Sequence, residues 1–345
     1  MRVQWTKQRA ENRPGARHCR DNYPGCHFNQ VQHCTWLGEA WERFVLGMFG
    51  DLLGFYLQHK GFEYNKCIFN EEDMLMKKYI YQTPLGSIHY WIGRTVQDAP
   101  WLVFLPGLSA DHTLFEMQTA YFSAAYNCFI WDAPAHGLSR PFGLRFTMRD
   151  MAAYLHEILE KEGIVKPVLV GQSLGGYIAQ VYMDEYPESV LGFVSIDSCS
   201  MSRKYYTWWE LALLKRTKWM YLSIPYKLLI KWGVWGTATT AYGRALMEKM
   251  WSSYGKQEFC ALADHGYRIF AQAVEEKNEY VISCPVLLLC GEKDAAGSAK
   301  SYNRRWTRMD GYPLRWIRGA GHNSNTDAPE SVNALIEGFV QSLKG

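Results

Sequence analysis

The sequence predicts an α/β fold in which helices flank a mostly parallel sheet and a helical block interrupts that sheet. Between residues 77 and 198, short apolar runs of strand length alternate with stretches of helical spacing, a pattern typical of right-handed βαβ units. The alternation stops from 199 to 278, and strand-like patterning returns at 285–289. A tight turn around residue 173 joins an apolar run to a helical stretch and marks the central βα unit.

The first 73 residues are expected to form an extension outside the main domain. From residue 1 to about 34 the chain is polar, rich in Arg, Asn and Gln, and without a sustained helical or strand period, which predicts a loose arm. Six histidines and cysteines in this arm are conceivable zinc ligands: His18, Cys19, Cys26, His27, His33 and Cys34. Their spacing matches neither a C-x-x-C nor an H-x-x-x-H pair, so no metal site is predicted.

Residues 36–56 of the extension have apolar side chains at helical spacing and predict an amphipathic helix. Charged residues within this stretch exclude a membrane span, which leaves two interpretations. Either the helix packs on the main domain or lies on a membrane surface, or the stretch is translated ahead of the natural start. The last interpretation is favoured, because residues 71–73 (Glu-Glu-Asp) would be encoded by a purine-rich run just before Met74, as in a bacterial ribosome-binding site.

Regular patterning begins after Met74. Residues 78–83 and 87–93, joined by a Pro-Leu-Gly sequence, predict an antiparallel hairpin at the start of the sheet. Residues 101–105 form a continuous apolar run, which predicts a strand buried on both faces.

The elements that follow continue the alternation. Further strands are predicted at 128–131, 168–170, 190–196, 285–289 and 314–317, and helices up to about 123, at 147–162 and from the turn to 186. Residues 74–198 and 279–345 are therefore expected to form one α/β core.

The block from 199 to 278 is predicted to be a helical cap. Its helix-like stretches are rich in aromatic residues: Tyr205, Tyr206, Trp208, Trp209, Trp219, Tyr221, Tyr226, Trp232, Trp235, Tyr242, Trp251 and Tyr254. Most of these rings are expected to fill the small core of the cap, and a minority to line an apolar pocket. Because the cap is inserted between two strands of one sheet, it should cover the carboxyl ends of the strands, where open α/β sheets bind ligands.

The turn within 168–179 has the Gly-x-Ser-x-Gly spacing of a nucleophile elbow. Its serine, Ser173, must adopt a strained backbone conformation, and side chains at positions 171 and 175 would collide across the turn. Glycine at both positions removes that clash. The helix that follows directs its N-terminal amides toward an anion formed beside the serine. A plain tight turn would have the same five residues, so the motif requires partners elsewhere in the chain.

Two partners follow later strands of the predicted sheet. Asp294 comes directly after an apolar run at 286–290, and His322 comes after the run at 314–317. The interval from Ser173 to Asp294 holds the cap, and the interval to His322 holds one helix and one strand. All three side chains can therefore meet at one edge of the sheet. Taken singly, Asp294 is equally typical of a loop cap and His322 of a turn.

These three residue types suit nucleophilic catalysis. A serine hydroxyl is a poor nucleophile at neutral pH until a neighbouring base accepts its proton, and an imidazole titrates near that pH. A carboxylate then holds the ring in the useful tautomer and stabilises the imidazolium. Their joint occurrence, in this order and at strand ends, predicts a catalytic triad.

With these motifs in place, the sequence from about residue 77 to the C-terminus resembles the α/β-hydrolase superfamily. The stretch Asp132-x-Pro-x-His-Gly-x-Ser, which ends at Ser139, adds to the resemblance, although relatives usually have glycine in place of Ala135. The resemblance implies the α/β-hydrolase fold, with an eight-stranded, mostly parallel sheet, a helical cap after the sixth strand, and no cofactor.

The resemblance also implies an oxyanion hole of two backbone amides. One is that of Leu174, directly after the nucleophile, and the other is that of Leu108, in the loop after the third strand. Many esterases have a histidine before the glycine of this loop, whereas this chain has Pro106. The departure argues against the triple-glycine lipase branch.

Two other titratable residues are alternatives for catalytic roles. His136 lies near an aspartate and a serine, but it is interpreted as part of the structural turn after the fourth strand. Asp197 follows the sixth strand, a position from which some relatives supply the acid of the triad. It is therefore the alternative to Asp294.

Composition excludes several function classes. The net charge of +3 with neutral histidines gives no reason to expect a nucleic-acid partner. No window approaches twenty apolar residues, so no transmembrane helix is predicted, and the basic N-terminus lacks the apolar core of a secretory signal. Several of the nine cysteines lie in apolar runs, which favours reduced thiols and a cytoplasmic protein.

The sequence thus predicts a serine hydrolase that acts through an acyl-enzyme on a small to medium carboxylic ester with an apolar acyl or alcohol part. The fold also supports cleavage of carbon–carbon bonds, lactones, thioesters and amides by serine nucleophiles. A ligand sensor that retains the triad but turns over slowly is the alternative from a different class.

Overall fold

The computed structural model describes residues 76–94 and 98–343. Residues 1–73 lie outside the described residues. The expectations of a loose arm with histidines and cysteines that form no zinc site, and of an amphipathic helix, concern this part of the chain. The alternative start at Met74 lies outside the described residues as well.

The described residues form one eight-stranded sheet, as the sequence predicted. The strands are β1 (Lys77–Thr83), β2 (Gly86–Gly93), β3 (Trp101–Leu105), β4 (Asn127–Trp131), β5 (Val168–Gln172), β6 (Gly192–Ile196), β7 (Val286–Gly291) and β8 (Leu314–Ile317). Their order is β1-β2-β4-β3-β5-β6-β7-β8. β2 is antiparallel to both of its neighbours, and every other pair is parallel.

The central strands are apolar because helices cover both faces of the sheet. Every residue of β4, β5 and β6 is buried. Successive side chains of a strand point to opposite faces, and the two halves of the core reflect this. Val103 and Leu105 of β3 belong to one buried cluster, while Leu102 and Phe104 belong to the other.

Eleven α-helices accompany the sheet in the described residues. They are α1 (Glu116–Phe122), α2 (Met148–Lys161), α3 (Leu174–Glu185), α4 (Trp208–Leu214), α5 (Lys218–Ser223), α6 (Tyr226–Thr237), α7 (Ala241–Ser252), α8 (Lys256–Glu276), α9 (Ala299–Asp310), α10 (Ser324–Asp327) and α11 (Pro329–Ser342). Buried residues of α2, α3 and α9 join the first cluster, and those of α1 and α11 join the second. The sheet is therefore covered by helices on both sides.

Helices α4 to α8 all lie between β6 and β7, although these two strands pair directly in the sheet. This is the region predicted as a cap. Seven of its twelve aromatic residues lie in the buried core or pack against it, in line with the expectation that most would be core. Four of the twelve are buried, namely Tyr205, Tyr206, Tyr221 and Tyr254, while Trp208, Trp219 and Trp235 are exposed. Aromatic content alone does not specify which face of a short helix meets the core, so the exposure of these three tryptophans was not predicted.

None of the helices in the described part of the chain is both long enough and apolar enough to cross a bilayer.

Candidate active site

Ser173 lies at the junction of β5 and α3 in a strained conformation. Its backbone angles are φ 48° and ψ −114°, a conformation that residues other than glycine rarely adopt. A Cβ atom at Gly175 would lie 1.8 Å from the Leu105 carbonyl oxygen, and one at Gly171 would lie 2.5 Å from the Gly176 nitrogen. Both glycines are therefore required for the sharp turn that raises the Ser173 hydroxyl above the sheet edge.

His322 joins the Ser173 hydroxyl to a carboxylate. Its Nε2 lies 3.0 Å from Ser173 Oγ, and its Nδ1 lies 3.0 Å from Asp294 Oδ2. With the carboxylate ionised, Nδ1–H donates to Asp294, which leaves Nε2 to accept the serine proton. The loops after β5, β7 and β8 thus bring together the three residues that the sequence pattern singled out.

Asp294 sits in an environment that holds it in place and raises the basicity of His322. Its second oxygen, Oδ1, accepts a 2.8 Å hydrogen bond from the Ala296 backbone N–H, and the carboxylate is buried. Burial alone lowers the pKa of His322, but the charge and hydrogen bond of Asp294 and the charge of Asp197 together raise it by more. The net shift is upward, so the site stabilises an imidazolium.

Asp197, the alternative acid, makes other contacts. Its Oδ1 accepts a hydrogen bond from the Gly291 N–H at 2.7 Å, and its Oδ2 accepts two from Ser324, from N–H at 2.8 Å and from Oγ–H at 2.6 Å. Burial and the neighbouring Asp294 carboxylate raise the pKa of Asp197. This residue ties the end of β6 to the loop after β7 and to the start of α10, whereas Asp294 is the carboxylate in contact with His322.

Leu174 and Leu108 both line the cavity beside Ser173. Leu174 is the first residue of α3, so its amide is among those that have no acceptor within the helix. Leu108 follows Gly107, where a Cβ atom would lie 2.2 Å from Gln172 Oε1. Glycine at 107 therefore lets the loop after β3 approach the elbow. The roles of the two amides as oxyanion donors remain predictions.

The sequence reasoning missed Gln172. Its Nε2 donates to the His322 backbone oxygen at 2.9 Å and to Asn323 Oδ1 at 3.1 Å. The side chain of the residue before Ser173 thus holds the backbone of the histidine loop. The only signal was a polar residue at the end of an otherwise apolar strand.

Asp327 was also missed, and it connects the histidine loop to the α6–α7 connection. Its Oδ2 accepts hydrogen bonds from the Gly321 N–H at 2.8 Å and from the Thr239 N–H at 2.9 Å, while Oδ1 accepts from the N–H and the hydroxyl of Thr240 at 2.9 and 2.8 Å. The Asn323 N–H donates to the Thr237 carbonyl oxygen at 2.9 Å in the same region. Both residues that flank His322 are therefore held, directly or through Asp327, by this connection.

His136 lies apart from this hydrogen-bonded set. It is fully buried in the turn after β4, with Nδ1 2.9 Å from the Pro134 carbonyl oxygen. Burial lowers its pKa to about 4. A neutral, enclosed ring in a turn fits the structural interpretation of this residue.

A cavity of about 270 Å³ opens at Ser173. Its walls include eight aromatic side chains: Tyr177, Tyr206, Tyr221, Trp251, Phe259, Tyr267, Phe270 and Tyr302. Its charged or titratable lining, apart from tyrosine and cysteine, consists of His322, Asp197 and Glu210, and within the described residues no lysine or arginine lines it. The site is therefore aromatic, and the titratable residues of this set other than His322 are acidic.

Asp197, Cys290 and Asp294 are close enough to share a cation, with ligand atoms within 4.8 Å of one another. The four carboxylate oxygens already accept hydrogen bonds, from Gly291, Ser324, Ala296 and His322. Burial raises the pKa of the Cys290 thiol, which disfavours the thiolate that a metal would need. The cluster is accounted for by its internal contacts.

Comparison with known proteins agrees with this architecture. A family model described as alpha/beta hydrolase fold matches residues 100–329. The 2-succinyl-6-hydroxy-2,4-cyclohexadiene-1-carboxylate synthase of Serratia proteamaculans is 26% identical over 256 residues, which cover 70% of this chain and 94% of that protein.

Two solved structures share the fold at low identity. A thermophilic esterase from Thermogutta terrifontis has a TM-score of 0.60 and 20% identity, with 78% of this chain and 98% of that chain covered. The Cif epoxide hydrolase from Acinetobacter nosocomialis has a TM-score of 0.63 and 15% identity, with 76% and 88% covered.

Proposed function

The chain belongs to the α/β-hydrolase family, and from this premise we propose that it is a serine hydrolase that cleaves a small to medium carboxylic ester. The observation that carries the proposal is the continuous relay from Ser173 Oγ through His322 to Asp294, with both heavy-atom distances at 3.0 Å. These distances lie within the range needed for proton transfer between a nucleophile and its base.

In the proposed reaction, Ser173 Oγ attacks the ester carbonyl carbon while His322 Nε2 accepts the hydroxyl proton. Asp294 orients the ring and stabilises the imidazolium. The amides of Leu174 and Leu108 donate to the oxyanion, a contribution of several kcal/mol in comparable sites, about 3 per donor. Collapse of the intermediate expels the alcohol, which takes the proton from His322. A water molecule then gives a proton to His322 and attacks the acyl carbon. Collapse of the second intermediate breaks the bond to Ser173 Oγ, which takes the proton back from His322, and the carboxylic acid leaves.

The substrate class follows from the walls of the cavity. Aromatic rings favour an apolar acyl or alcohol group, and about 270 Å³ suits a small to medium ester. The described lining holds no lysine or arginine that could pair with a substrate carboxylate, and His322 must be neutral to act as the base. Such a carboxylate would also lie near Asp197 and Glu210. This disfavours the hydrolysis of carbon–carbon bonds in diketo acids. Uncharged esters, lactones and thioesters remain as candidate substrates.

Residues 199–278 are proposed to act as the cap, and the protein is proposed to work in the cytoplasm. The described cysteines, Cys128, Cys199, Cys260, Cys284 and Cys290, are all free. Free thiols support a reducing compartment.

The test is labelling of the full chain with a fluorophosphonate, with Ser173→Ala as the control, followed by turnover of nitrophenyl esters of increasing acyl length. We expect labelling that depends on Ser173 and a maximum in kcat/KM at short to medium chains. Absence of labelling would overturn the proposal that the protein is a serine hydrolase. Labelling with negligible turnover on every ester would instead favour a ligand sensor.

A further inference from the structure

Exposed apolar side chains of the described residues are concentrated on α4 to α6. Five of the eleven large apolar side chains that stand exposed fall within residues 208–235: Trp208, Trp219, Leu222, Leu228 and Trp235. The three tryptophans are exposed by 74%, 58% and 45%. Exposed apolar groups that occur singly need no explanation, but a concentration of this kind marks an interaction surface.

Each of the two helices α5 and α6 has one face turned inward and one turned outward. In α6, Leu229 and Val234 are buried, whereas Leu228 and Trp235 are exposed. Leu228 and Trp235 are seven residues apart, which places them on one face of the helix, with Lys231 between them. The inward face of the same helix lines the substrate cavity at Leu229.

In α5, Met220 and Tyr221 are buried, and Trp219 and Leu222 are exposed. Tyr221 lines the cavity, as Leu229 does. We call the exposed residues Trp219, Leu222, Lys227, Leu228, Lys231 and Trp235 the outer cap face. Since the inward sides of both helices meet at one cavity, the outer cap face is turned away from the protein core.

The segment that carries the outer cap face is strongly basic. Between residues 203 and 249 there are nine basic residues, Arg203, Lys204, Lys215, Arg216, Lys218, Lys227, Lys231, Arg244 and Lys249, and two acidic residues, Glu210 and Glu248. The segment thus has a net charge of +7, although the whole chain has only +3. Lys218, Lys227 and Lys231 form no ion pair within the part of the chain that the structure describes. Their charge is available to a partner.

The combination of exposed tryptophan and unpaired lysine identifies the partner. Tryptophan rings sit at the headgroup level of a bilayer, and lysines beside them attract anionic headgroups. The centre of a protein–protein interface is instead depleted in lysine. We propose that the outer cap face docks on the surface of a bilayer that contains anionic lipid, so that the helices lining the substrate cavity lie against the membrane.

Binding of the full chain to vesicles tests this proposal without reference to catalysis. Co-sedimentation is measured with phosphatidylcholine alone and with phosphatidylcholine mixed with phosphatidylglycerol. We expect binding that requires phosphatidylglycerol, weakens as salt screens the charges, and shifts tryptophan emission to the blue.

Two double variants address the two components of the surface. Trp219→Ser with Leu228→Ser removes apolar contact, and Lys227→Glu with Lys231→Glu reverses charge. Each should lower the partition coefficient at least about tenfold. One basic residue near an anionic surface is worth about fivefold, and the charge variant reverses two of them. The apolar variant removes two large side chains, each worth about tenfold when buried. Hydrolysis of a soluble nitrophenyl ester by both variants should stay within about twofold of the unmodified chain, which shows that they are folded.

Matched controls come from exposed positions outside the cap. Lys77→Glu with Lys78→Glu on β1, and Met309→Ser on α9, should leave vesicle binding unchanged. Three results would overturn the proposal: no binding to anionic vesicles, binding that the cap variants leave intact, or a dimer in solution that the cap variants dissociate. The last result would assign the outer cap face to a second copy of the chain.

Discussion

Gln172 and His322 are joined by a direct hydrogen bond, from the side-chain amide of Gln172 to the backbone oxygen of His322, at 2.9 Å. The bond connects the strand that precedes Ser173, the proposed nucleophile, to the loop that carries His322, the proposed base. The relative position of Ser173 and His322 therefore does not depend on their mutual hydrogen bond alone. Positioning of this kind matters because displacements of about 1 Å in a catalytic group can cost on the order of a hundredfold in rate.

Replacement of Gln172 by alanine should therefore affect catalysis more than substrate binding. We expect kcat to fall about tenfold to a hundredfold with little change in KM, because the His322 loop loses the two hydrogen bonds that the Gln172 amide donates to it. The matched control is Gln180→Ala. Gln180 is a buried glutamine on α3 that bonds the carbonyl oxygens of Gly176 and Cys199. If both variants lose stability equally and neither changes kcat, Gln172 has no positioning role.

The two buried aspartates are distinguished by their asparagine variants. Asp294→Asn should lower kcat on the order of 10⁴-fold, because the amide no longer favours the tautomer of His322 that accepts the serine proton. Asp197→Asn should instead destabilise the fold by about 1–3 kcal/mol, because one of its donors, Gly291 or Ser324, would face an amide N–H group. Turnover and chemical unfolding of both variants are the measurements. Loss of turnover in Asp197→Asn alone would transfer the acid role to Asp197.

The pH profile of kcat/KM should report the raised pKa of His322. The base must be neutral to accept the serine proton, so activity falls as the pH drops through this pKa. Since Asp294 holds the pKa above the ordinary value of 6.5, the midpoint of the acid limb should lie above that value. Removal of the carboxylate in Asp294→Asn lowers the pKa and should move the residual acid limb to lower pH. If the acid limb of Asp294→Asn had the same midpoint as that of the unmodified chain, the limb would not report the His322–Asp294 pair.

The protein should discriminate strongly between charged and uncharged ester substrates. For two esters of equal size, one ending in a methyl group and one in a carboxylate, we expect kcat/KM to favour the uncharged ester by at least about a hundredfold. The carboxylate loses hydration without a lysine or arginine in the described lining, and His322 must be neutral to act as the base. Leu214→Lys places an ammonium group in the cavity lining and should narrow the ratio. Leu214→Met is the control for size. Equal turnover of both esters by the unmodified chain would show that the charged end stays outside the cavity.

How much of this site can be predicted from the sequence depends on how far apart in the chain the contacting residues lie. The strands were predicted because runs such as that at 168–170 are β-branched and apolar, and Ser173, Asp294 and His322 because each follows such a run. Gln172 and Asp327 were not predicted, since their partners lie far away in the chain, at His322 and at Thr239 and Thr240. Spacing indicates that loops meet at one edge of a sheet, but it does not indicate which side chain reaches across.

The outer cap face illustrates a second limit. Trp219 and Tyr221 are two residues apart on α5, and one is exposed while the other lines the cavity. Helices of six or seven residues, such as α4 and α5, are too short for a hydrophobic period to separate an inner from an outer face. Tertiary packing decides the orientation of these rings.

Asp327 provides the remaining prediction, because it couples the histidine loop to the α6–α7 connection. Its carboxylate accepts hydrogen bonds from Gly321, the residue before His322, and from Thr239 and Thr240. All its partners are donors, so the amide of Asp327→Asn must turn an N–H group toward at least one of them. We expect a loss of about 1.5–3 kcal/mol in the free energy of unfolding, a fall in kcat of at least about tenfold, and partial rescue of kcat by Asp327→Glu.

The control for this variant is Asp264→Asn on α8. Asp264 accepts a hydrogen bond from the Lys218 backbone N–H at the start of α5, so it also holds a helix of the proposed cap. Within the described residues no hydrogen bond joins it to the histidine loop. It should lower stability without altering kcat or the acid limb of the pH profile. A positioning role for Asp327 requires that its asparagine variant lower kcat at temperatures where the chain is fully folded. If the two variants lose stability alike and keep full kcat, Asp327 is a structural clamp, and the cap and the base are mechanically independent.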